Sequence, residues 1–392
     1  MLKHLSIRNF RMLSDFHVGS LGRVNLIVGR NNSGKSTILE ALRLLAEGGD
    51  SRFLLALLSE HDELAMSSSE SDPDRSEPSL SAIRHLFTNR TLPKDDETLI
   101  SIGTDDGYRI QIEHIFFEIR EIEHREESDG TVETRRLRVP VTKADLGEIS
   151  PLLHEGIKVT RLDNIQPRSF LLDMSDKWYW RRPGLSDAAL GKLPYGYIPT
   201  HFVPLDDLAG WWDQIVFTPQ ESRVIEALNF IEPNVEGLAF VKNPGGGRYS
   251  RNERRPERIP VVKLRGRVEP VPLSSMGDGM ARVLQLILAM APAKGGFLLV
   301  DEFENGLYYD VQEDVWRLVF QLASELDIQV FATTHSRDCI ESFARASNDN
   351  PESGVLFKMA QSRLASEKGK VIATVYDEEQ LALATETELE VR

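Results

Sequence analysis

The sequence predicts an α/β protein built on a parallel sheet and interrupted by a large insertion of mixed α+β structure. Near the start, a glycine-rich loop joins a short apolar strand to an amphipathic helix. Strands and helices alternate after Pro272, whereas the region between alternates polar and apolar residues, which is typical of antiparallel hairpins. We therefore divide the chain into a split α/β domain, residues 1–48 and 270–392, and an insertion, residues 49–269.

The composition is that of a folded protein from a reducing compartment. The 392 residues are 41% apolar and 27% charged, and 46 basic against 61 acidic residues leave a net charge of −15. The lone cysteine, Cys339, can form neither an internal disulfide nor a multi-thiolate metal site. The longest apolar run, residues 283–293, is about half of the roughly 20 residues that span a bilayer. We expect a cytoplasmic protein without a membrane segment.

The first fifty residues predict strand, strand, loop and helix. Apolar and polar residues mix from Leu2 to Phe10, and the apolar run from Val24 to Val28 is followed by glycine. Between Lys35 and Glu47 apolar residues recur at helical spacing until two glycines stop the helix.

The loop before that helix, residues 29–36, reads GRNNSGKS and fits the phosphate-loop pattern G-x-x-x-x-G-K-[ST]. Its glycines let backbone N–H groups point at phosphate oxygens, and the helix adds its positive end. We expect Lys35 to bridge the β- and γ-phosphates of ATP, Ser36 to bind Mg²⁺ and Thr37 to contact the α-phosphate. The predicted nucleotide contacts of this loop are Gly29, Asn31, Asn32, Ser33, Gly34, Lys35, Ser36 and Thr37. The alternative, a glycine turn with a chance lysine, does not explain the flanking strand and helix. The chain is thus predicted to be a P-loop NTPase.

The insertion is predicted to contain hairpins and two charged segments. Residues 97–143 alternate polar and apolar side chains around turn sequences, which indicates antiparallel hairpins. Residues 66–79 are rich in Ser, Asp, Glu and Pro, so we predict an exposed or disordered acidic loop. Residues 248–267 contain eight basic residues against two acidic ones.

Two interpretations of the basic stretch 248–267 remain open. It could contact the phosphate backbone of DNA, although the acidic total argues against a surface that binds nucleic acid throughout. Alternatively, its cations pair with acidic groups of the same or another subunit.

Two acidic residues follow the buried strand predicted at residues 297–300. Because ligands of open α/β sheets bind at the carboxyl ends of the strands, we expect Asp301 to hold Mg²⁺ through water. Glu302 points elsewhere and can polarise the attacking water as general base. The alternative is a solvated acidic turn.

Two further polar groups complete the predicted site. His335 follows the next predicted strand, residues 328–333, where it can donate a hydrogen bond to the γ-phosphate rather than serve a structural role.

Residues 274–279 combine hydroxyls and glycines before a mostly apolar helix at 280–290, which makes an anion site. One nucleotide does not need two phosphate cradles in one subunit, so this loop is expected to serve a second subunit. The alternative is an ordinary capped helix start. The loop residues predicted to contact nucleotide are Ser275, Gly277 and Asp278.

These four elements, in this order, resemble the ABC-type ATPases. The segments LSIRNFR at residues 5–11 and DEFENGL at residues 301–307 are similar to the branch that contains RecF, the SMC proteins and the OLD (overcoming lysogenization defect) ATPases. Within that branch the chain is most similar to stand-alone OLD-like AAA ATPases. The resemblance covers residues 1–48 and 270–345 and is loose between them. It implies an ABC-type ATPase head in which two subunits sandwich two ATP molecules head to tail.

The resemblance also implies roles for individual residues. Ser275 and Gly277 take the place of the signature residues that contact the partner's γ-phosphate, and His335 that of the switch histidine. Arg11 matches a basic residue that lies near the nucleotide in the SMC-like branch. Residues 305–307 occupy the position of the D-loop. The signature reads Ser-Met-Gly-Asp instead of Ser-Gly-Gly-Gln, and no glutamine is assigned to the Q-loop.

Known OLD-type proteins, including the ATPase subunit of Gabija-like antiphage systems, use such a head to regulate a TOPRIM nuclease that is usually fused after the ATPase. Only 47 residues follow Arg345, so we expect any nuclease or other effector to be a separate polypeptide. The prediction is a Mg²⁺-dependent ATP hydrolase that dimerises on ATP and controls an effector in DNA metabolism or antiphage defence.

Two other functions remain as alternatives. A transporter ATPase subunit would show an aromatic residue before the phosphate loop, a shorter insertion and a Ser-Gly-Gly signature. A nucleotide-binding structural protein that does not hydrolyse could dispense with Glu302.

Overall fold

The computed structural model describes residues 1–64, 80–104, 107–125, 132–143, 153–163, 167–173, 191–243, 247–248, 254–349, 353–362 and 369–376. The strands are β1 Leu5–Phe10, β2 Leu13–Val18, β3 Val24–Gly29, β4 Ile100–Gly103, β5 Arg109–Arg125, β6 Val132–Val141, β7 Leu153–Leu162, β8 Arg168–Asp173, β9 Tyr195–Ile198, β10 Val235–Lys242, β11 Gly247–Arg248, β12 Arg254–Arg255, β13 Arg258–Leu264, β14 Val271–Pro272, β15 Phe297–Val300, β16 Gln329–Thr334, β17 Gly354–Gln361 and β18 Val371–Tyr376. The helices are α1 Lys35–Ala46, α2 Ser51–Glu60, α3 Leu80–Ile83, α4 Leu205–Ile215, α5 Pro219–Asn229, α6 Asp278–Leu288, α7 Met290–Ala293, α8 Tyr309–Glu325 and α9 Arg337–Asn348.

A six-stranded sheet carries the phosphate loop. Its order is β18–β17–β3–β16–β15–β9, and every pair is parallel except β17 with the edge strand β18. Strands β3, β15 and β16 are buried along their whole length, as expected when both faces of a parallel sheet are covered. This is the α/β fold of a P-loop NTPase, and the predicted fold class is confirmed.

A second, antiparallel sheet has the order β2–β1–β4–β5–β7–β8, with β6 also paired to β5. The hairpins predicted between residues 97 and 143 are confirmed as β4, β5 and β6. Strand β2 is not predicted from the sequence, however: the first fifty residues contain three strands, whereas the sequence predicts two. In β2 the buried residues are Leu13, Phe16 and Val18, a spacing that does not alternate regularly.

Helix α1 lies between the two sheets. On one face of the parallel sheet, Ile27, Leu299 and Phe331 pack in a cluster with α1 and the antiparallel sheet. On the other face, neighbouring residues such as Leu298 and Val330 pack against α4 to α9. Because strand residues alternate between faces, each strand contributes to both cores and the phosphate loop is held between two packed layers.

Strand pairing crosses both boundaries of the predicted insertion, 49–269, and the division into a split head and an insertion stays a prediction. Strand β9 lies within the insertion but pairs in parallel with β15, from Tyr195 opposite Phe297 to Ile198 opposite Val300. Strand β1, assigned to the head, pairs with β4 of the insertion. Four residues, Tyr-Gly-Tyr-Ile, carry too short a pattern to reveal a sheet strand.

Some predictions fall outside the described residues. The acidic loop, residues 66–79, lies there entirely, and the basic stretch 248–267 is described in part. Among the residues that are described, no helix is long and apolar enough to cross a membrane.

Candidate nucleotide-binding site

The phosphate loop requires glycine at the start of α1. Gly34 has φ 96°, in the region that favours glycine, and a Cβ there would lie 3.2 Å from the Sδ atom of Met12. Ser36 is exposed at the first turn of α1, whereas Ser33 is buried. The loop is thus open on the side from which a phosphate would approach.

Lys35 is folded back onto this loop. Its Nζ atom donates hydrogen bonds to the carbonyl oxygens of Gly29 (2.8 Å) and Arg30 (3.1 Å). Burial lowers the pKa of Lys35, and the carboxylates of Asp301 and Glu302 act in the opposite direction. The lysine therefore faces the carboxyl end of β15 across the loop.

The carboxylate of Asp301 accepts hydrogen bonds from hydroxyl groups on three different elements. The donors are Ser36 Oγ of α1 (3.1 Å), Thr333 Oγ1 of β16 (2.6 Å) and Thr200 Oγ1 just after β9 (3.2 Å). Carboxylate and hydroxyl oxygens are ligands that suit Mg²⁺, which is usually held by one or two carboxylates plus phosphate oxygens and water. The pairing of Ser36 with Asp301 therefore fits the metal site that the sequence predicts.

Glu302 has a backbone conformation that side chains rarely adopt, with φ 49°. Its N–H donates to Thr333 Oγ1 (2.9 Å), and its carbonyl oxygen accepts from a terminal nitrogen of Arg282 (2.6 Å). The Glu302 side chain lies beside His335, with 3.6 Å between Oε1 and Nδ1. The turn after β15 is thus held on both sides of Glu302.

His335 is held by a second carboxylate. Its backbone N–H donates to Glu304 Oε1 (3.1 Å), and its Nδ1 lies 3.3 Å from the same oxygen. A cavity of about 280 Å³ lies between the phosphate loop and His335 and is lined by Val28, Gly29, Arg30, Asn31, Thr334, His335 and Ile340. The structure therefore brings together the phosphate loop, Asp301, Glu302 and His335, as the sequence predicts.

The loop that carries Ser275, Gly277 and Asp278 is not part of this cluster. Ser275 Oγ donates to the carbonyl of Pro272 (2.7 Å), and Gly277 has φ 92° just before α6. Within the described part of the chain, no hydrogen bond joins this loop to the phosphate loop. Its role toward a second subunit stays a prediction.

Arg11 is engaged elsewhere. Its guanidinium pairs with Glu40 (2.6 Å) and Glu63 (2.9 Å), and only 12% of the side chain is exposed. To reach a nucleotide, Arg11 would have to leave both carboxylates. Its predicted nucleotide contact therefore also stays a prediction.

Four residues around the site were missed from the sequence: Thr200, Arg282, Glu304 and Thr333. One signal could have revealed Arg282, which is the sole charged residue of the apolar run 280–290. No comparable signal marks Thr200, which follows a strand of only four residues.

The described part of the basic stretch pairs within the chain. Arg258 binds Asp213 through two nitrogens (2.6 and 2.9 Å), and Arg265 lies 3.3 Å from Glu236. These contacts favour charge pairing over a DNA contact for those two arginines. Among the described residues there is also no cluster of three or more His, Cys, Asp or Glu suited to a metal ion.

Two family models match this chain. Residues 1–149 match the AAA ATPase domain, and residues 216–338 match an AAA domain described as putative AbiEii toxin, Type IV TA system. The first match contains the phosphate loop, and the second contains Asp301, Glu302 and His335. Each match covers less than half of the chain, and together with the parallel sheet the two matches support the P-loop NTPase fold.

Two individual proteins are also similar to this chain in sequence. A Helicobacter pylori protein described as an ATP/GTP phosphatase is 22% identical over 362 residues, which cover 87% of each chain. An uncharacterized protein from Methanocaldococcus jannaschii is 42% identical over 59 residues, 14% of this chain and 27% of that protein.

Similar solved structures include SMC head domains. An SMC head bound to the C-winged helix domain of ScpA is 15% identical, with 97% and 99% of the two chains covered and a TM-score of 0.45. The SMC head domain from Thermotoga maritima is 14% identical, with 96% and 99% covered and a TM-score of 0.39.

Proposed function

We propose that this chain is a Mg²⁺-dependent ATP hydrolase whose activity requires a second copy. One observation carries the hydrolysis: the Ser36 hydroxyl of the phosphate loop bonds to Asp301, while Glu302, after β15, lies beside His335, after β16. A loop that only bound nucleotide would not need a second carboxylate beside His335. The H. pylori relative described as an ATP/GTP phosphatase supports the same chemistry.

Each residue of the cluster has a part in this proposal. Lys35 exchanges its two carbonyl partners for the β- and γ-phosphate oxygens, which neutralises negative charge. Ser36 and Asp301 would hold Mg²⁺, which neutralises the charge that develops on the phosphates. Glu302 orients a water molecule and accepts its proton, and His335 donates to the γ-phosphate.

The second copy supplies the loop around Ser275. This loop presents a hydroxyl and freed backbone N–H groups at the N-terminus of α6, outside the cluster of its own subunit. We propose that it closes over the γ-phosphate bound to the other copy, so ATP holds the dimer together. The output of this cycle is control of a separate effector in DNA metabolism or antiphage defence.

Replacing Glu302 with Gln tests the hydrolysis. We expect phosphate release to fall roughly 100-fold or more, because the amide cannot accept the proton from water. ATP binding should persist, and the variant should accumulate as an ATP-bound dimer in light scattering. Glu226→Gln, an exposed carboxylate of α5, is the matched control and should hydrolyse normally.

The outcomes separate the alternatives. Unchanged turnover in Glu302→Gln would remove Glu302 from the mechanism. A wild-type protein that binds ATP without releasing phosphate would be the non-hydrolysing structural protein. Mass spectrometry of proteins that co-purify with the native chain tests the effector: a TOPRIM-type nuclease supports it, and a membrane permease would instead indicate a transporter subunit.

A further inference from the structure

Arg282 lies buried beneath the cluster and bonds to backbone carbonyls at the ends of two strands. The residue is on α6 and only 2% exposed. One terminal nitrogen donates to the carbonyl oxygens of Asp301 (2.7 Å) and Glu302 (2.6 Å), and the other donates to Pro199 (3.1 Å). A single side chain thus joins the end of β9 to the end of β15.

Burying a charged side chain at this position is energetically unfavourable. Taking a guanidinium out of water costs several kcal/mol, and an apolar side chain of similar volume is often as stable or more stable. Burial lowers the pKa of Arg282 to about 10, while the carboxylates of Glu304 and Asp301 act in the opposite direction. The guanidinium therefore remains charged at neutral pH. Packing alone does not explain a buried arginine among the mostly apolar residues 280–290.

One contact of Arg282 is with Glu302, the residue of the site whose backbone is strained. A left-handed conformation of a residue other than glycine, such as Glu302 with φ 49°, is strained and persists only where surrounding contacts enforce it. Thr333 holds the N–H of Glu302 from β16, and Arg282 holds its carbonyl from α6. The peptide groups on both sides of the Glu302 side chain are therefore fixed.

The same helix touches this turn at a second point. A Cβ on Gly279, in the first turn of α6, would lie 3.2 Å from the carbonyl oxygen of Gly306. Helix α6 thus supports the acidic turn, residues 301–306, at both of its ends.

We propose, building on the hydrolysis proposed above, that Arg282 is the positioning residue of this site. It does not touch nucleotide. It fixes the ends of β9 and β15, so that Asp301, which would hold Mg²⁺, and Glu302, which would orient the attacking water, keep one relative position. An error of about 1 Å in such a geometry can lower the rate roughly 100-fold.

Three variants test this role: Arg282→Met, Arg282→Lys and Arg282→Ala. We expect kcat to fall roughly 100-fold in the Met variant. The decrease should be smaller in the Lys variant, because lysine keeps the positive charge but has fewer hydrogen-bond donors than arginine. The Kd for a non-hydrolysable ATP analogue should change by no more than about threefold, because the phosphate loop is untouched. Added guanidinium chloride at millimolar concentration should partly restore kcat in the Ala variant, and urea at the same concentration should not. Arg223→Met, an arginine of the α5 surface, is the control and should match the wild type.

Each result decides the proposal. Wild-type kcat in the Met and Lys variants would overturn it while leaving ATP hydrolysis in place. A joint loss of kcat, analogue binding and thermal stability, without guanidinium rescue, would also overturn it, since that pattern shows a purely structural residue. If the wild type itself releases no phosphate, the proposed function fails first and the positioning role falls with it.

Discussion

The carboxylate of Asp301 shows how single residues acquire their roles in this site. Sequence motifs predict Ser36 and Asp301 as metal ligands, and the structure places them 3.1 Å apart. The motifs do not predict Thr200, just after β9, or Thr333 of β16, which donate hydrogen bonds to the same carboxylate. A threonine at a strand end is common, and it becomes part of a site only when the strands are arranged side by side.

Thr333 offers a prediction at the residue scale. Its buried hydroxyl donates to Asp301 and accepts from the N–H of Glu302, so Thr333→Val removes both bonds with almost no change of shape. Leaving a buried N–H unpaired costs about 1–3 kcal/mol, and we expect the free energy of unfolding to drop by that amount. Turnover should fall as well, because the Glu302 backbone loses one of its two supports.

Urea denaturation and phosphate release measure the two effects of Thr333→Val. Thr374→Val, at an exposed position of the edge strand β18, is the control and should change stability by no more than about 0.5 kcal/mol. If both variants match the wild type in stability and turnover, the Thr333 hydroxyl stabilises neither the fold nor the backbone of Glu302.

Among the secondary structure elements, β9 changes the interpretation of the chain most. Its tyrosines attach it to α1: the Tyr195 hydroxyl donates to Glu47 (2.9 Å), and the Arg43 guanidinium lies 4.0 Å from the centre of the Tyr197 ring. On the opposite face, Gly196 packs against the backbone where α6 ends. This strand brings Thr200 to Asp301, and it lies in a region that the sequence assigns to an insertion.

Gly196 gives the prediction at the element scale. A Cβ at this position would lie 2.1 Å from the carbonyl oxygen of Ala289, so Gly196→Ala must move β9 or α6. Such overpacking typically costs about 1–3 kcal/mol, and we expect a matching loss in thermal or urea unfolding. Gly210→Ala is the control, because nothing lies within 4 Å of its Cβ position and alanine favours helix α4. A Gly196→Ala protein as stable as the wild type would argue against this packing of β9.

On the scale of the whole molecule, no hydrogen bond among the described residues joins the loop around Ser275 to the phosphate loop of the same chain. The loop around Ser275 lies at the start of α6 and bonds to its own backbone. The proposed dimer therefore predicts that each nucleotide is bound by residues of two chains.

Mixing two inactive variants tests that arrangement. Lys35→Ala disables the phosphate loop, and Ser275→Arg disables the second cradle. Each protein alone should fail to hydrolyse ATP, whereas an equimolar mixture should recover up to about a quarter of the wild-type rate, since half of the dimers have one complete site. Phosphate release from the mixture is the measurement. A mixture as inactive as its components would indicate that Ser275 does not act on the partner's nucleotide.

Local sequence patterns are sufficient to predict the α/β class, the phosphate loop and the acidic residues at the end of β15. A glycine-rich loop, an apolar strand and the residues after it are contiguous, and short-range geometry dictates their form. The same locality explains why the hairpins at residues 97–143 were predicted correctly.

The residues that join the site from distant parts of the chain are visible once the fold is known. Strand β9, Arg282 of α6 and Thr333 of β16 meet Asp301 and Glu302 because the sheet and its helices bury a common core. Packing also buries Arg282 and gives it three carbonyl partners, whereas the sequence shows it only as one arginine among mostly apolar residues. Long-range packing places these groups: the sequence marks Arg282 as a charge within an apolar run, but it does not show which distant carbonyls this residue contacts.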